Sequence, residues 1–310
     1  MGNEAVLLAS ERGEVGLVEA MAVLRDGGSA MDAVELAVQA AEANPDDHYV
    51  GVGGLPNLVG DVELDASIMD GRTRAAGAVA AVRGFIHPIS IARKVLEQLP
   101  QHLLLVGEGA ARFAAETGCE AGDPLTDTAK TLWRDQLREP PVDTVAGEQR
   151  YRESVLSRLR DQPGHDGPWG TVNVLALDRD GNLCVGVSTS GYPWKYPGRV
   201  GDSAVIGAGN YCDNTVGGAA CTGRGEMAIR AGTARTVLAG VQSGAEPVDA
   251  CVAALRDAVG LDDPLPAGLQ TLMLRPDGRH AGATTRPEGT YAVMTESMSM
   301  PEIVARRSIG

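Results

Sequence analysis

Basic residues are scarce in this 310-residue chain: 27 Lys and Arg stand against 41 Asp and Glu, a formal net charge of -14. Nucleic-acid binding needs a phosphate-neutralising basic face, and no stretch interleaves aromatic with basic residues, so that class is excluded. A small-molecule partner is expected instead. Long apolar runs are also missing. None approaches the roughly 18 residues that would suggest a membrane helix, and the start, MGNEAVLLASERGE, carries acidic residues where a secretory signal is basic. A cytoplasmic protein without membrane association is expected. The five cysteines, Cys119, Cys184, Cys212, Cys221 and Cys251, are odd in number and show no CxxC spacing, which argues against a disulfide framework or a zinc site. Buried free thiols are expected. His48, His87, His102, His165 and His280 are scattered with no HExxH pairing, so no metal and no cofactor are assigned.

What is present is enough apolar sequence, 44% against 22% charged, for a substantial core. The first half mixes strand-like and helix-like segments. Residues 5 to 9 (AVLLA) predict a strand. From Ser29, Met31, Val34, Val38 and Ala41 repeat at the helical period until Pro45 ends the run. The turn Gly51 to Gly54 is followed by predicted strands at 62 to 71 and 77 to 84, a helix over 88 to 99 with Pro88 in its first turn, a strand at 103 to 107 and a helix through Phe113. From about 119 to 170 prolines and charges accumulate, and the only convincing helix runs from Glu148 to Arg160, so this stretch reads as an exposed connector.

After the connector, TVNVLAL (171 to 177), a turn at Asp178 to Gly181 and NLCVGVS (182 to 188) predict a β-hairpin. With Asp178 and Gly181 flanking the turn, Thr171 lies opposite Ser188, and Thr189 lies beside Thr171 at the same end of the sheet. Helices over 225 to 239 and 247 to 259 follow, then strands at 269 to 275, 279 to 284 and 290 to 295. There is no internal repeat.

Three local features carry chemistry, and each alone has an ordinary reading. Threonines are common in strands. The loop Pro197-Gly198-Arg199-Val200-Gly201-Asp202-Ser203 presents one cation and one anion, either as a surface ion pair or as a clamp in which Arg199 grips an α-carboxylate and Asp202 accepts from an α-ammonium. Thr222-Gly223-Arg224-Gly225-Glu226 opens a helix and points N–H groups and a hydroxyl outward, which suits a developing oxyanion; it is neither a dinucleotide nor a P-loop motif.

The run GTVNVLALDRDGNL, STSG, PGRVGDS, IGAGNY and ACTGRGEMAIRAG, over 170 to 232, resembles the β-subunit start of the glycosylasparaginase and plant-type asparaginase (isoaspartyl peptidase) family. NPDDHYVGVGGLPN, VELDASIMDG, GAVAAVRG, HPISIARKVLE and LLLVGEGAARFA extend the resemblance over nearly the whole chain. It implies an α/β fold, the four-layer αββα sandwich of N-terminal nucleophile hydrolases, as a single domain over 1–310. It further implies a self-cut between Gly170 and Thr171 into an α-subunit (1–170) and a β-subunit (171–310), assembled as a homodimer of cleaved αβ units. By resemblance Thr171 is the nucleophile, Thr189 its partner hydroxyl, Arg199 and Asp202 the substrate anchors, and Thr222 with Gly223 the oxyanion hole.

Three positions depart from the glycosylasparaginase branch. Gly170 stands where that branch has Asp. Glu11 occupies the place of a tryptophan near the sugar, and Tyr49 that of a small hydroxyl residue near the nucleophile's amine. The NPDDH and GGLPN segments nonetheless resemble that branch more. The expected substrate is therefore an asparagine derivative, first N4-(β-N-acetylglucosaminyl)-L-asparagine or a similar aspartyl-glycosylamine, second isoaspartyl dipeptides or L-asparagine. An inactive amino-acid-binding member is the remaining alternative.

Overall fold

The computed structural model describes residues 4–137, 170–263 and 268–310. The described chain forms two β-sheets and eight α-helices. In chain order, β1 (Val6–Ser10) is followed by α1 (Leu17–Arg25), α2 (Ala30–Glu42), β2 (Leu64–Asp70), β3 (Ala76–Val82), α3 (Pro88–Gln98), β4 (Leu104–Val106), α4 (Gly107–Glu116) and α5 (Asp127–Leu137). The second part contains β5 (Val172–Leu177), β6 (Leu183–Thr189), β7 (Asn210–Asp213), β8 (Gly217–Gly223), α6 (Gly225–Ala231), α7 (Thr233–Gln242) and α8 (Pro247–Val259). It ends with β9 (Leu269–Leu274), β10 (His280–Thr284), β11 (Thr290–Thr295), β12 (Glu302–Ala305) and β13 (Arg307–Ser308). The larger sheet has the order β12-β11-β1-β5-β6-β2-β3-β4 and the smaller β13-β10-β9-β8-β7.

Alternation along the strands sorts side chains between layers, because successive residues of a strand point to opposite faces. In β5, Val172, Val174 and Ala176 join a core with α1 to α4, whereas Leu175 and Leu177 meet Cys212, Ala220, Leu272 and Leu274 of the smaller sheet. On β8 and β9, Ala219, Cys221, Leu269 and Met273 pack against α6 to α8. Three apolar layers thus lie between helices, sheet, sheet and helices. No helix among the described residues is long and apolar enough to cross a membrane.

Local chemistry accounts for several element boundaries. Ser29 caps α2 reciprocally, its hydroxyl accepting the Asp32 N–H and its own N–H donating to the Asp32 carboxylate. Gly186 of β6 gives α2 room to close on the sheet, since a Cβ there would sit 2.4 Å from a Val34 methyl.

The structure departs from the sequence reading at several places, three of which bear on the elements already predicted. The predicted single helix 225–239 is broken at Gly232, whose φ of 58° puts it in the left-handed region and separates α6 from α7. Residues 127–137, read as exposed connector, form α5, with Ala129 buried and Trp133 packed against the Leu58 and Gly60 loop. The predicted helix Glu148–Arg160 lies outside the described residues.

The third difference is the hairpin register. Val172 pairs with Ser188 and Leu177 with Leu183, one residue away from the predicted register. The Asp178 N–H bonds to the Asn182 carbonyl (3.0 Å) and the Gly181 N–H to the Asp178 carbonyl (3.1 Å), with Gly181 at φ 82°. This is a turn followed by a glycine bulge, which inserts one extra residue. A one-residue slip reverses the face of every side chain. The correction therefore puts Thr189, rather than Ser188, level with Thr171 on the face toward the smaller sheet.

Candidate active site

Thr171 immediately precedes β5, at the open end of the space between the sheets. Ser10, at the end of β1, fixes the backbone there: its hydroxyl donates to the Thr171 carbonyl (3.1 Å) and accepts the Asn173 N–H (2.9 Å). Asn173 faces β8, and its amide donates to the Cys221 carbonyl (3.2 Å) and to the Thr222 hydroxyl. β5, which follows Thr171, is thus pinned to the strand carrying Thr222.

Thr189 ends β6. Its Oγ1 lies 2.8 Å from the Gly170 carbonyl oxygen and 3.3 Å from the Tyr49 carbonyl oxygen, while accepting the Gly191 N–H at 2.9 Å. With one hydrogen to give, the hydroxyl makes its better bond to the Gly170 carbonyl. Behind it, Ser188 points toward the helices and donates to the buried Glu42 carboxylate (2.6 Å). Glu42 also accepts the Ile89 N–H (3.0 Å) and contacts His87 Nδ1 (3.1 Å). Burial raises the Glu42 pKa, while its hydrogen bond to Glu42 raises that of His87.

Arg199 is held by a two-pronged contact to Glu226, Nε to Oε1 at 3.0 Å and Nη2 to Oε2 at 2.9 Å, with its guanidinium 4.3 Å from the Tyr192 ring centroid. Nη1 takes no part in that fork, so an edge remains for a second carboxylate. Asp202 is 4% exposed, and its Oδ2 is buried with no hydrogen-bond partner. Burial pushes its carboxyl up to about 7, against the lowering effect of Arg199. The two residues do not form the simple surface ion pair that the loop alone allows. Lys195, fully buried, donates to the Glu63 carbonyl at 3.0 Å, and Glu63 accepts the Gly198 N–H at 3.0 Å, so the backbone just before Arg199 is tied to the core.

Gly170, Thr171, Thr189, Arg199, Asp202 and Gly223 line one small cavity of about 10 Å³, room for about one water. Thr222 sits beside Gly223, its hydroxyl already engaged by Asn173. Gly223 has φ 126°, and a Cβ there would lie 2.1 Å from the Gly268 carbonyl oxygen, so only glycine fits. All seven expected site residues are therefore gathered at one end of the two sheets. A larger cavity, about 620 Å³ at the opposite end of β5 beside Leu177, His280 and Arg279, contains none of them. Among the described residues no group of three or more His, Cys, Asp or Glu is placed to hold a metal ion.

Sequence reasoning did not single out Ser10, Asn173, Glu42 or Lys195. Asn173 and Lys195 lay within or beside the motif run, yet only tertiary placement shows what they touch. Ser10 and Glu42 carry no local signal at all.

A hydroxyl at the head of a central strand, a second hydroxyl on the preceding carbonyl and a cation with a buried carboxylate across a small cavity suit an amidohydrolase. The chain belongs to the asparaginase family: the family described as Asparaginase matches residues 14–304. It is 40% identical over 275 residues to a plant-type L-asparaginase of Pyrococcus furiosus, covering 89% of this chain and 86% of that protein. An isoaspartyl peptidase/L-asparaginase of Bos taurus is 40% identical over 233 residues, 75% of this chain and 70% of that one. An N(4)-(beta-N-acetylglucosaminyl)-L-asparaginase of Elizabethkingia miricola is 39% identical over 242 residues, 78% and 65%.

Proposed function

We propose that the protein cuts its own chain between Gly170 and Thr171 and then hydrolyses the side-chain amide of L-asparagine derivatives. The observation that carries this is the 2.8 Å bond from the Thr189 hydroxyl to the Gly170 carbonyl, at the wall of a cavity that also holds Arg199 and Asp202. In the first step Thr171 Oγ1 attacks the Gly170 carbonyl carbon, the C–N bond breaks, and the hydroxyl proton passes to the departing nitrogen. Thr189 polarises the carbonyl by donating to its oxygen. Water then cleaves the resulting ester, leaving a Gly170 carboxylate and a free Thr171 amine.

That amine, with an unperturbed pKa of about 7.7 to 8.0, is a suitable base for its own hydroxyl near neutral pH. In the uncut chain the same nitrogen is an amide, and Gly170 fills the site. Cleavage therefore both creates the base and opens the cavity. In turnover Arg199 grips the substrate α-carboxylate and Asp202 its α-ammonium, so that Thr171 Oγ1 faces the side-chain amide carbon. Thr222 and the Gly223 N–H receive the developing oxyanion. The leaving amine departs with the proton held by the Thr171 nitrogen, and water frees aspartate from the ester.

L-Asparagine and β-aspartyl dipeptides rank ahead of aspartyl-glycosylamine. Glu11, which stands where a sugar-contacting aromatic is expected, accepts the Thr290 N–H at 3.0 Å and offers no ring face. The Pyrococcus and Bos relatives, named for asparaginase and isoaspartyl peptidase activity, support the same order. The Elizabethkingia relative, with the NPDDH and GGLPN segments, keeps the glycosylamine as the second reading. Thr171→Ala should run as one uncut, inactive band on a denaturing gel, where the parent gives two pieces. A Thr171→Ala chain still cut after Gly170 would refute the scheme. Side-by-side rates on the three substrates decide their order.

A further inference from the structure

We infer that Tyr49 is a positioning residue for the self-cleavage step, and that its side chain restricts residue 170 to glycine. The inference rests on the self-cleavage proposed above and goes beyond it by naming what holds the bond to be cut. A Cβ built on Gly170 would lie 1.7 Å from Tyr49 Cβ, 2.2 Å from Cγ and 2.8 Å from Cδ2. The nearest atom is the Cβ, whose position is set by the backbone, so no rotamer of Tyr49 relieves the overlap.

The backbone cannot yield easily either. The Tyr49 N–H donates to Asp47 Oδ1 (2.9 Å), and the Tyr49 carbonyl accepts the Ser190 N–H (2.7 Å). The ring carries the Arg12 guanidinium 5.0 Å from its centroid, and Arg12 in turn contacts Asp47 at 3.3 Å, which closes a circuit around the residue. Gly170 is therefore held from two sides. Tyr49 backs its α-carbon, and the Thr189 hydroxyl grips its carbonyl oxygen.

Carbon atoms in contact prefer about 3.5 to 4.0 Å. A side chain at 170 must therefore move the carbonyl by more than about 1 Å, a displacement that can cost on the order of 100-fold in rate. The contact is made by carbon atoms, so the phenol oxygen is dispensable.

The test follows maturation of the purified full-length chain by denaturing gel and intact mass, with thermal melting as a check on folding. Gly170→Ala should mature about 100-fold more slowly than the parent. Tyr49→Ala/Gly170→Ala should remain slow, because the Cβ at 49 persists. Tyr49→Gly/Gly170→Ala should recover at least about 10-fold of the loss, because the Cβ at 49 that blocks a methyl group at position 170 is gone. Tyr49→Phe should mature at the parental rate, and Tyr49→Gly alone about 10-fold more slowly, because the carbonyl loses its backing. If the parent is not cut after Gly170, the self-cleavage reading itself fails. If the parent is cut, but Gly170→Ala matures at the parental rate, or folded Tyr49→Gly/Gly170→Ala is no faster than Gly170→Ala, the role of Tyr49 alone is overturned. Should that double variant not fold, parental-rate maturation of Tyr49→Gly would overturn it equally.

Discussion

Asp202 makes the sharpest quantitative prediction, because the acceptor role proposed for it conflicts with its surroundings. It is buried, its Oδ2 has no partner, and burial lifts its carboxyl from 3.8 to about 7. At about 1.4 kcal/mol per pKa unit this rise is worth about 4 kcal/mol between the neutral and ionised forms. A raised carboxyl pKa favours the neutral form in the fold. The contribution to stability is accordingly full below about 3.8, erodes as pH rises, and is lost once pH passes about 7. Asp202→Asn keeps the shape and removes the charge. On a Thr171→Ala background, where the chain stays whole and unfolding is unimolecular, it should be nearly neutral at pH 4. At pH 8 it should stabilise by about 2 to 4 kcal/mol, which raises the melting temperature by several degrees. Thermal and urea unfolding at the two pH values measure the difference. Equal effects at both pH values, or destabilisation at pH 8, would refute the assignment of a strained, buried acid. On the cleavable chain the same change should abolish binding of the substrate ammonium, so that stability rises as activity falls.

Three further outcomes are expected. Thr189→Val preserves shape but removes the donor to the Gly170 carbonyl, and should slow maturation by about 100- to 1,000-fold on a gel time course. Arg199→Lys loses both the Glu226 fork and the planar edge for a carboxylate, so KM for L-asparagine should rise about 10-fold or more with a smaller change in kcat. In the matured enzyme, kcat/KM should climb from pH 6 to 8 as Asp202, pushed up to about 7, and the Thr171 amine both lose protons; a flat profile would contradict both roles.

Most residues of the candidate site could be picked out in the sequence because they sit in short, glycine-marked loops, PGRVGDS and ACTGRGE, and at the strand head at Thr171. Of the elements bearing the candidate site, β5 and β6 followed from their apolar pattern and the turn between them, whereas β8, which carries Thr222 and Gly223, did not. The hairpin register was not legible. It hinges on whether Gly181 ends the turn or adds a bulge, and both are compatible with Asp-Arg-Asp-Gly. Nor were contacts between distant segments, since nothing near Ser10 or Glu42 indicates that they reach Thr171 and Ser188; for Tyr49 only the family resemblance pointed to the Gly170-Thr171 junction. β7 and β8 were not anticipated as strands because NYCD and GGAACTG hold a single β-branched residue, Thr222, and are otherwise short or glycine- and alanine-rich. The Asp202 charge state is likewise a property of enclosure rather than of sequence neighbours.

The order of the larger sheet bears on what a cut after residue 170 can undo. β1, from the first piece, lies between β11 and β5 of the second, and β5 and β6 lie between β1 and β2 of the first. The two pieces are interleaved like fingers, so separating them means tearing the middle of the sheet along three seams. With the 170–171 bond cut, neither piece would hold a complete run of neighbouring strands in the middle of this sheet, so refolding would become the meeting of two chains and would depend on their concentration.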